Sequence, residues 1–108
     1  MVSQEQAQQI LMQAQVFQQQ MQSILSQKEG LKLQQVEIKK AIEELDKSAE
    51  ASVYKASGPI LIKSPKEDVK KELSEKDEFI ITRLQTLERS EKKVKEKIEE
   101  LREKLSKE

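Results

Sequence analysis

The side chains in this sequence that could do covalent or metal chemistry are carboxylates and amines, and they are arranged to neutralise one another. The run Glu91-Lys92-Lys93-Val94-Lys95-Glu96-Lys97 sets opposite charges a helical turn apart, the spacing of an ion-pair ladder on one helix face. Histidine and cysteine are both absent, which removes disulfides, thiolate ligands, the commonest zinc sites and the usual nucleophile–base pairs. The carboxylates spread along a solvated helix face rather than converging in a pocket, and no Gly-rich phosphate loop or metal-ligand spacing occurs. No catalytic, cofactor-binding or metal residue is expected, and no cofactor. Among function classes, an enzyme is the least favoured.

What remains is contact chemistry, and the first arm of the chain is built for it. Residues 1–27 carry one charged side chain, Glu5, and are filled with glutamines such as Gln8, Gln9, Gln13, Gln18, Gln19 and Gln20, whereas residues 66–108 are mostly Lys, Arg, Glu and Asp. Leu11 and Leu25 flank the apolar seam of this arm, and Met12 and Val16 lie outward from it at i,i+4. Such a face meets apolar surface without the costly step of desolvating charge. Exposed apolar patches mark interaction sites, and methionine adapts to differently shaped partners. Against this stands the plain alternative that glutamine is a good helix former and Met12 an ordinary surface residue; the residues alone leave the two readings level.

The one stretch that does not read as helix is Val53-Tyr54-Lys55-Ala56-Ser57-Gly58-Pro59-Ile60-Leu61-Ile62-Lys63. β-Branched and aromatic residues on either side of a Gly-Pro turn signal predict a hairpin over 52–63. Alternation puts Tyr54 and Ala56 on one face of the first strand and Val53 and Lys55 on the other, and likewise sets Ile60 and Ile62 against Leu61. Apolar groups therefore stand on both faces. A lone two-stranded hairpin is marginal in water, so this one is expected to join a sheet built from several chains.

The rest of the composition agrees. Only 35% of the 108 residues are apolar and 3% aromatic, with 37% charged, poor material for a globular core and good material for long helices. Twenty basic residues balance twenty acidic ones, leaving no net field to draw nucleic acid or an anionic membrane. No apolar run approaches the roughly 20 residues of a membrane span, and the amino terminus has no signal-like apolar stretch. The expected location is cytoplasmic, with neither nucleic acid nor membrane as partner.

Two helices position these surfaces. Over residues 3–49, Ile10, Phe17, Ile24, Leu31, Ile38 and Leu45 recur at sevens, with Ala14, Met21, Lys28, Gln35, Ile42 and Ala49 four residues after each. At about 1.5 Å per residue such a helix is on the order of 65 Å long. Ser64-Pro65-Lys66-Glu67 predicts a capped start for a second helix over 65–106. Its seam is Leu73, Ile80, Leu87, Val94 and Leu101, with Leu84, Ile98 and Leu105 at the alternate places and Asp77 and Glu91 interrupting. Near-equal lengths and a central reversal predict one antiparallel coiled coil within the chain, in preference to a parallel homodimer. Folding back brings Lys28 within about a turn of Glu91, a pair suited to fixing register. Gly30, exposed in the helix, costs about 1 kcal/mol relative to Ala; beside the seam polar Gln35 it reads as a soft point or, more simply, as a tolerated glycine.

The helix, then Ser52-Val53-Tyr54-Lys55 running through Gly58-Pro59 into Ile60-Leu61-Ile62-Lys63, then a capped helix ending in Glu-Lys-Leu heptads, resembles the β-type subunit of prefoldin in its archaeal form. The resemblance spans essentially the whole chain as one prefoldin-like domain, and the hairpin is its most specific part. One hairpin, where the α-type subunit has two, marks the β type. The resemblance implies a mainly α fold, a long antiparallel two-helix coiled coil whose β-hairpin assembles into an inter-subunit β-barrel. It also implies a hexamer of two α-type and four β-type subunits that captures unfolded proteins at the coiled-coil tips without ATP and passes them to a group II chaperonin. Read this way, Val53, Tyr54, Ile60, Leu61 and Ile62 serve oligomerisation. Client contact falls to Ile10, Leu11, Met12, Val16 and Phe17, with Ile98, Leu101 and Leu105 on the paired helix. Ile10 and Phe17 have seam packing as a competing role. Phe79, off the seam near the hairpin end, is assigned to packing against the platform. The alternative function is a structural coiled-coil adaptor binding one folded partner, which shares every heptad but has no need of the hairpin.

Overall fold

The computed structural model describes residues 3–106, in the order α1 (Gln4–Lys47), β1 (Ser52–Ser57), β2 (Ile60–Pro65) and α2 (Lys66–Ser106). The chain is mainly helical, two long helices joined by a small antiparallel hairpin. It divides into two compact units, one holding the part of α1 up to Gly30 and the part of α2 from Leu84 on, the other running from Leu31 to Arg83.

In the first unit the buried positions are those of the heptad seam: Ile10 and Ile24 on α1, and Leu84, Leu87, Val94 and Leu101 on α2. Ala14, Phe17, Met21, Ile98 and Leu105 are half-buried along the same line. The amino end of α1 is closed by a reciprocal capping box, with the Ser3 backbone N–H donating to Gln6 Oε1 at 2.9 Å and the Gln6 N–H donating to Ser3 Oγ at 3.1 Å.

The second unit holds the hairpin and the helix segments that enter and leave it. Ile38 and Ile80 are buried, with Ile42, Leu45 and Leu73 half-buried beside them. Lys70 pairs with Asp46 at 2.6 Å, and Lys66 Nζ donates to the Ser48 carbonyl at 2.9 Å. Advancing along α2 thus means retreating along α1, the antiparallel arrangement.

The helix boundaries differ from the sequence expectation at both ends of the hairpin. α1 stops at Lys47 rather than 49, because Ser48 turns the chain: its N–H is shared between the Glu44 and Leu45 carbonyls, and its Oγ accepts from the Glu50 N–H. Ser64 and Pro65 do not start α2. They are held extended in β2 opposite Val53 and Ser52, and the ladder continues one step further as the Lys66 N–H donates to the Ala51 carbonyl at 2.9 Å. Cross-strand pairing wins over the local cap signal, and the helix begins at Lys66.

β1 and β2 pair from Ser52↔Pro65 to Ser57↔Ile60 around a two-residue loop. Gly58 has φ +57° and proline can only take negative φ, so Gly58-Pro59 is a type II′ turn, whose twist matches the strands. Main-chain bonds alternate along an antiparallel ladder. With Ser57 and Ile60 closing the turn, Pro65 falls on a non-hydrogen-bonded place where its missing N–H costs nothing.

Candidate interaction surfaces

Two surfaces stand out, one in each unit. In the second unit the register puts Ser52, Tyr54, Ala56, Leu61, Lys63 and Pro65 on one face of the hairpin and Val53, Lys55, Ser57, Ile60, Ile62 and Ser64 on the other. Tyr54 and Leu61 are 71% and 69% exposed, and Ile60 is exposed as well. Ile62 is less so, at 45%, and Val53 is half-buried. Apolar side chains therefore reach solvent from both faces of a sheet only two strands wide, and each strand keeps one edge of main-chain groups without a strand partner.

The hairpin is tied to the helices by polar contacts that no sequence spacing announces. Lys55 pairs with Glu72 at 2.6 Å, and Lys66 bonds the Ser48 carbonyl at the end of α1. Lys70 is pushed above the ordinary lysine value by its hydrogen bond to Asp46 and by that carboxylate's charge. Phe79 and Ile81 are exposed on α2, and Leu33 and Val36 on α1; the last three are apolar surface that heptad reasoning passes over because they fall outside the seam.

In the first unit the residues expected to contact clients fall into two sets. Leu11, Met12 and Val16 are exposed, Met12 at 67%, and they stand on a helix half whose one charge is Glu5. Ile10 and Leu101 are buried in the seam, and Phe17, Ile98 and Leu105 are half-buried there. Further along, Lys28 Nζ contacts both Glu91 oxygens, at 2.7 and 3.5 Å. The hydrogen bond to Glu91 raises the Lys28 pKa above its ordinary value, outweighing the opposing effect of burial. Among the described residues no group of His, Cys, Asp and Glu could hold a metal ion, and no helix is long and apolar enough to cross a membrane.

A helix pair with a heptad seam, joined by a hairpin that exposes apolar side chains on both faces, defines a coiled-coil class of protein. Residues 8–108 match the prefoldin subunit family. The chain is 43% identical over 101 residues to prefoldin subunit beta of Thermococcus onnurineus, covering 93% of this chain and 87% of that one. It is also 43% identical over 101 residues to prefoldin subunit beta of Archaeoglobus fulgidus, with the same coverage. The crystal structure of the prefoldin beta subunit from Thermococcus strain KS-1 superposes with a TM-score of 0.83 at 39% identity, covering 92% of this chain and 88% of that one. The chain belongs to the prefoldin subunit family, a family of chaperone subunits, and its likeness to the β subunits implies a heteromeric complex with α-type subunits.

Proposed function

We propose that this chain acts as one prefoldin-like domain, residues 1–108, in the cytoplasm. Its hairpin joins the hairpins of α-type and further β-type subunits in a six-chain assembly with an inter-subunit β-barrel. The unit that holds the amino-terminal part of α1 captures unfolded proteins without ATP, for delivery to a group II chaperonin. Exposure of Leu11, Met12 and Val16 on a helix half with a single charged residue is the observation that supports client capture there, since apolar contact costs least where little charge has to be desolvated. Ile10, Phe17, Ile98, Leu101 and Leu105 add to this contact when the helix ends fray, an opening of low free-energy cost. Several weak contacts from different subunits sum by avidity, so no single residue need bind tightly. Val53, Tyr54, Ile60, Leu61 and Ile62 carry assembly.

The test is removal of the first dozen residues. Suppression of client aggregation is expected to fall while the mass of the mixture with an α-type subunit is unchanged. Full suppression by the truncated protein would move capture to α2 or to the helix flanks. Selective binding of one folded protein, with no effect on unfolded ones, would favour an adaptor instead.

A further inference from the structure

The exposed pair Met12 and Val16 on α1 has a border of a single residue type. On a helix the side chains three and four places away are a residue's surface neighbours. Apart from one another, every such neighbour of Met12 and Val16 is a glutamine: Gln8, Gln9 and Gln15 around Met12, and Gln13, Gln19 and Gln20 around Val16. All six are exposed, and among the described residues none of their amides is bonded within the chain. Residues 6–27 contain no charged side chain. Helix formation does not ask for this, because lysine and glutamate support a helix about as well as glutamine, and α2 is built with them.

An amide does what neither charged group can: it donates and accepts hydrogen bonds at once, at a modest desolvation cost. Peptide main chain has the same chemistry, one donor and one acceptor per residue. In folded proteins those groups are mostly paired within the fold, whereas an extended unfolded segment carries them free. Spacing narrows the ligand further. Met12 and Val16 stand about 6 Å apart along the helix, close to the roughly 6.7 Å between alternate side chains on a strand. An extended segment lying along α1 thus sets two alternate side chains against Met12 and Val16, with its main chain over the flanking glutamines. A charged segment would have to shed its hydration on a face that offers no counter-charge. Resting on the capture reading above, we propose that this ring of amides recognises free main chain. Its ligand class is extended, low-charge segments with apolar residues at alternate positions.

The probe is a pair of short uncharged peptides of one composition, one alternating leucine with serine and the other carrying the same residues at helical spacing. Each competes with an aggregating client for the complex formed with an α-type subunit. The alternating peptide should displace client at about tenfold lower concentration than its rearranged form, and methylating its main-chain nitrogens should erase that advantage. Gln9→Met/Gln13→Met/Gln20→Met keeps side-chain length and neutrality but removes hydrogen bonds along one flank, so methylation should weaken the peptide by about threefold or less in this variant. An equal response of parent and variant to methylation would overturn amide recognition and leave capture standing. Equal displacement by the two arrangements would overturn the extended ligand class. Met12→Ser/Val16→Ser tests the reading beneath: unchanged client suppression at unchanged mass would overturn capture at this patch and the proposal with it. Self-association of this chain that the same variant abolishes would make a second copy the occupant and overturn the proposal likewise.

Discussion

At the scale of single residues the two glycines predict opposite outcomes for the same substitution. Gly58 sits at φ +57° in the hairpin turn, a backbone conformation that costs an L-residue about 1–3 kcal/mol, so Gly58→Ala destabilises the hairpin even though a Cβ there meets no atom within 4 Å. Gly30 lies inside α1 with helical φ, and a Cβ added there meets the same open space. Gly30→Ala is therefore expected to stabilise by about 0.5–1 kcal/mol, chiefly by narrowing the unfolded ensemble. Urea unfolding of the two variants beside the parent gives both signs in one experiment. Ile80, 2% exposed, is the most enclosed seam side chain, and Ile80→Ala should cost about 2–5 kcal/mol by the same measurement. The equivalent truncation at Met12, whose side chain is in solvent, should leave stability nearly unchanged.

At the scale of elements, Lys28–Glu91 is a polar contact that ties α1 to α2 in the first unit. Lys28→Glu sets two carboxylates together in a half-buried seam and lowers the melting temperature by a few degrees. Exchanging the charges, Lys28→Glu with Glu91→Lys, restores most of that loss if the pair itself is responsible. Its pH dependence has a definite sign. A lysine whose pKa is raised by folding lends stability in full below the unfolded value and loses it as pH climbs through the raised one. The contribution of Lys28, like that of Lys70, is thus flat from neutral to about pH 10 and falls above it. A thermal scan series up to strongly alkaline pH checks this, with Lys28→Leu/Glu91→Leu as the variant that loses the alkaline slope due to the pair. Much of this element structure is legible in the sequence. The seam follows from a sevenfold spacing, and the Lys28–Glu91 contact follows from counting back along two helices from the turn. Hairpin faces follow from alternation. Lys55–Glu72, Lys66–Ser48 and Lys70–Asp46 do not, because they depend on how the hairpin leans on its helices, which no local period encodes. Ser64-Pro65 misleads for a related reason: a good local cap signal yields to pairing with Ser52 and Val53, residues a turn away in space but a dozen away in sequence. The capping box formed by Ser3 and Gln6 is a feature that the heptad reading does not single out.

At the scale of the whole molecule, charge is balanced overall but unevenly placed, and that placement distinguishes how capture and assembly should respond to salt. The patch of Leu11, Met12 and Val16 lies on a helix half with one charged residue, while the rest of α1 and α2 are rich in charge, including Glu96, Glu99, Glu100 and Glu103 on one exposed stretch of α2. If clients are held at the first of these, the contact is apolar and screening has little to remove. Suppression of aggregation by the assembled complex should then hold steady, or improve slightly, as salt rises from about 0.01 to about 0.5 M, a range over which the Debye length falls from about 30 Å to a few ångströms. The mass of the complex has to be followed at each salt concentration, because assembly can itself respond to screening. A several-fold loss of suppression with the mass unchanged would show that clients are read by the charged face of α2. The Leu11–Met12–Val16 patch would then be ordinary helix surface, and the scarcity of charge in the amino-terminal half of α1 would need another explanation.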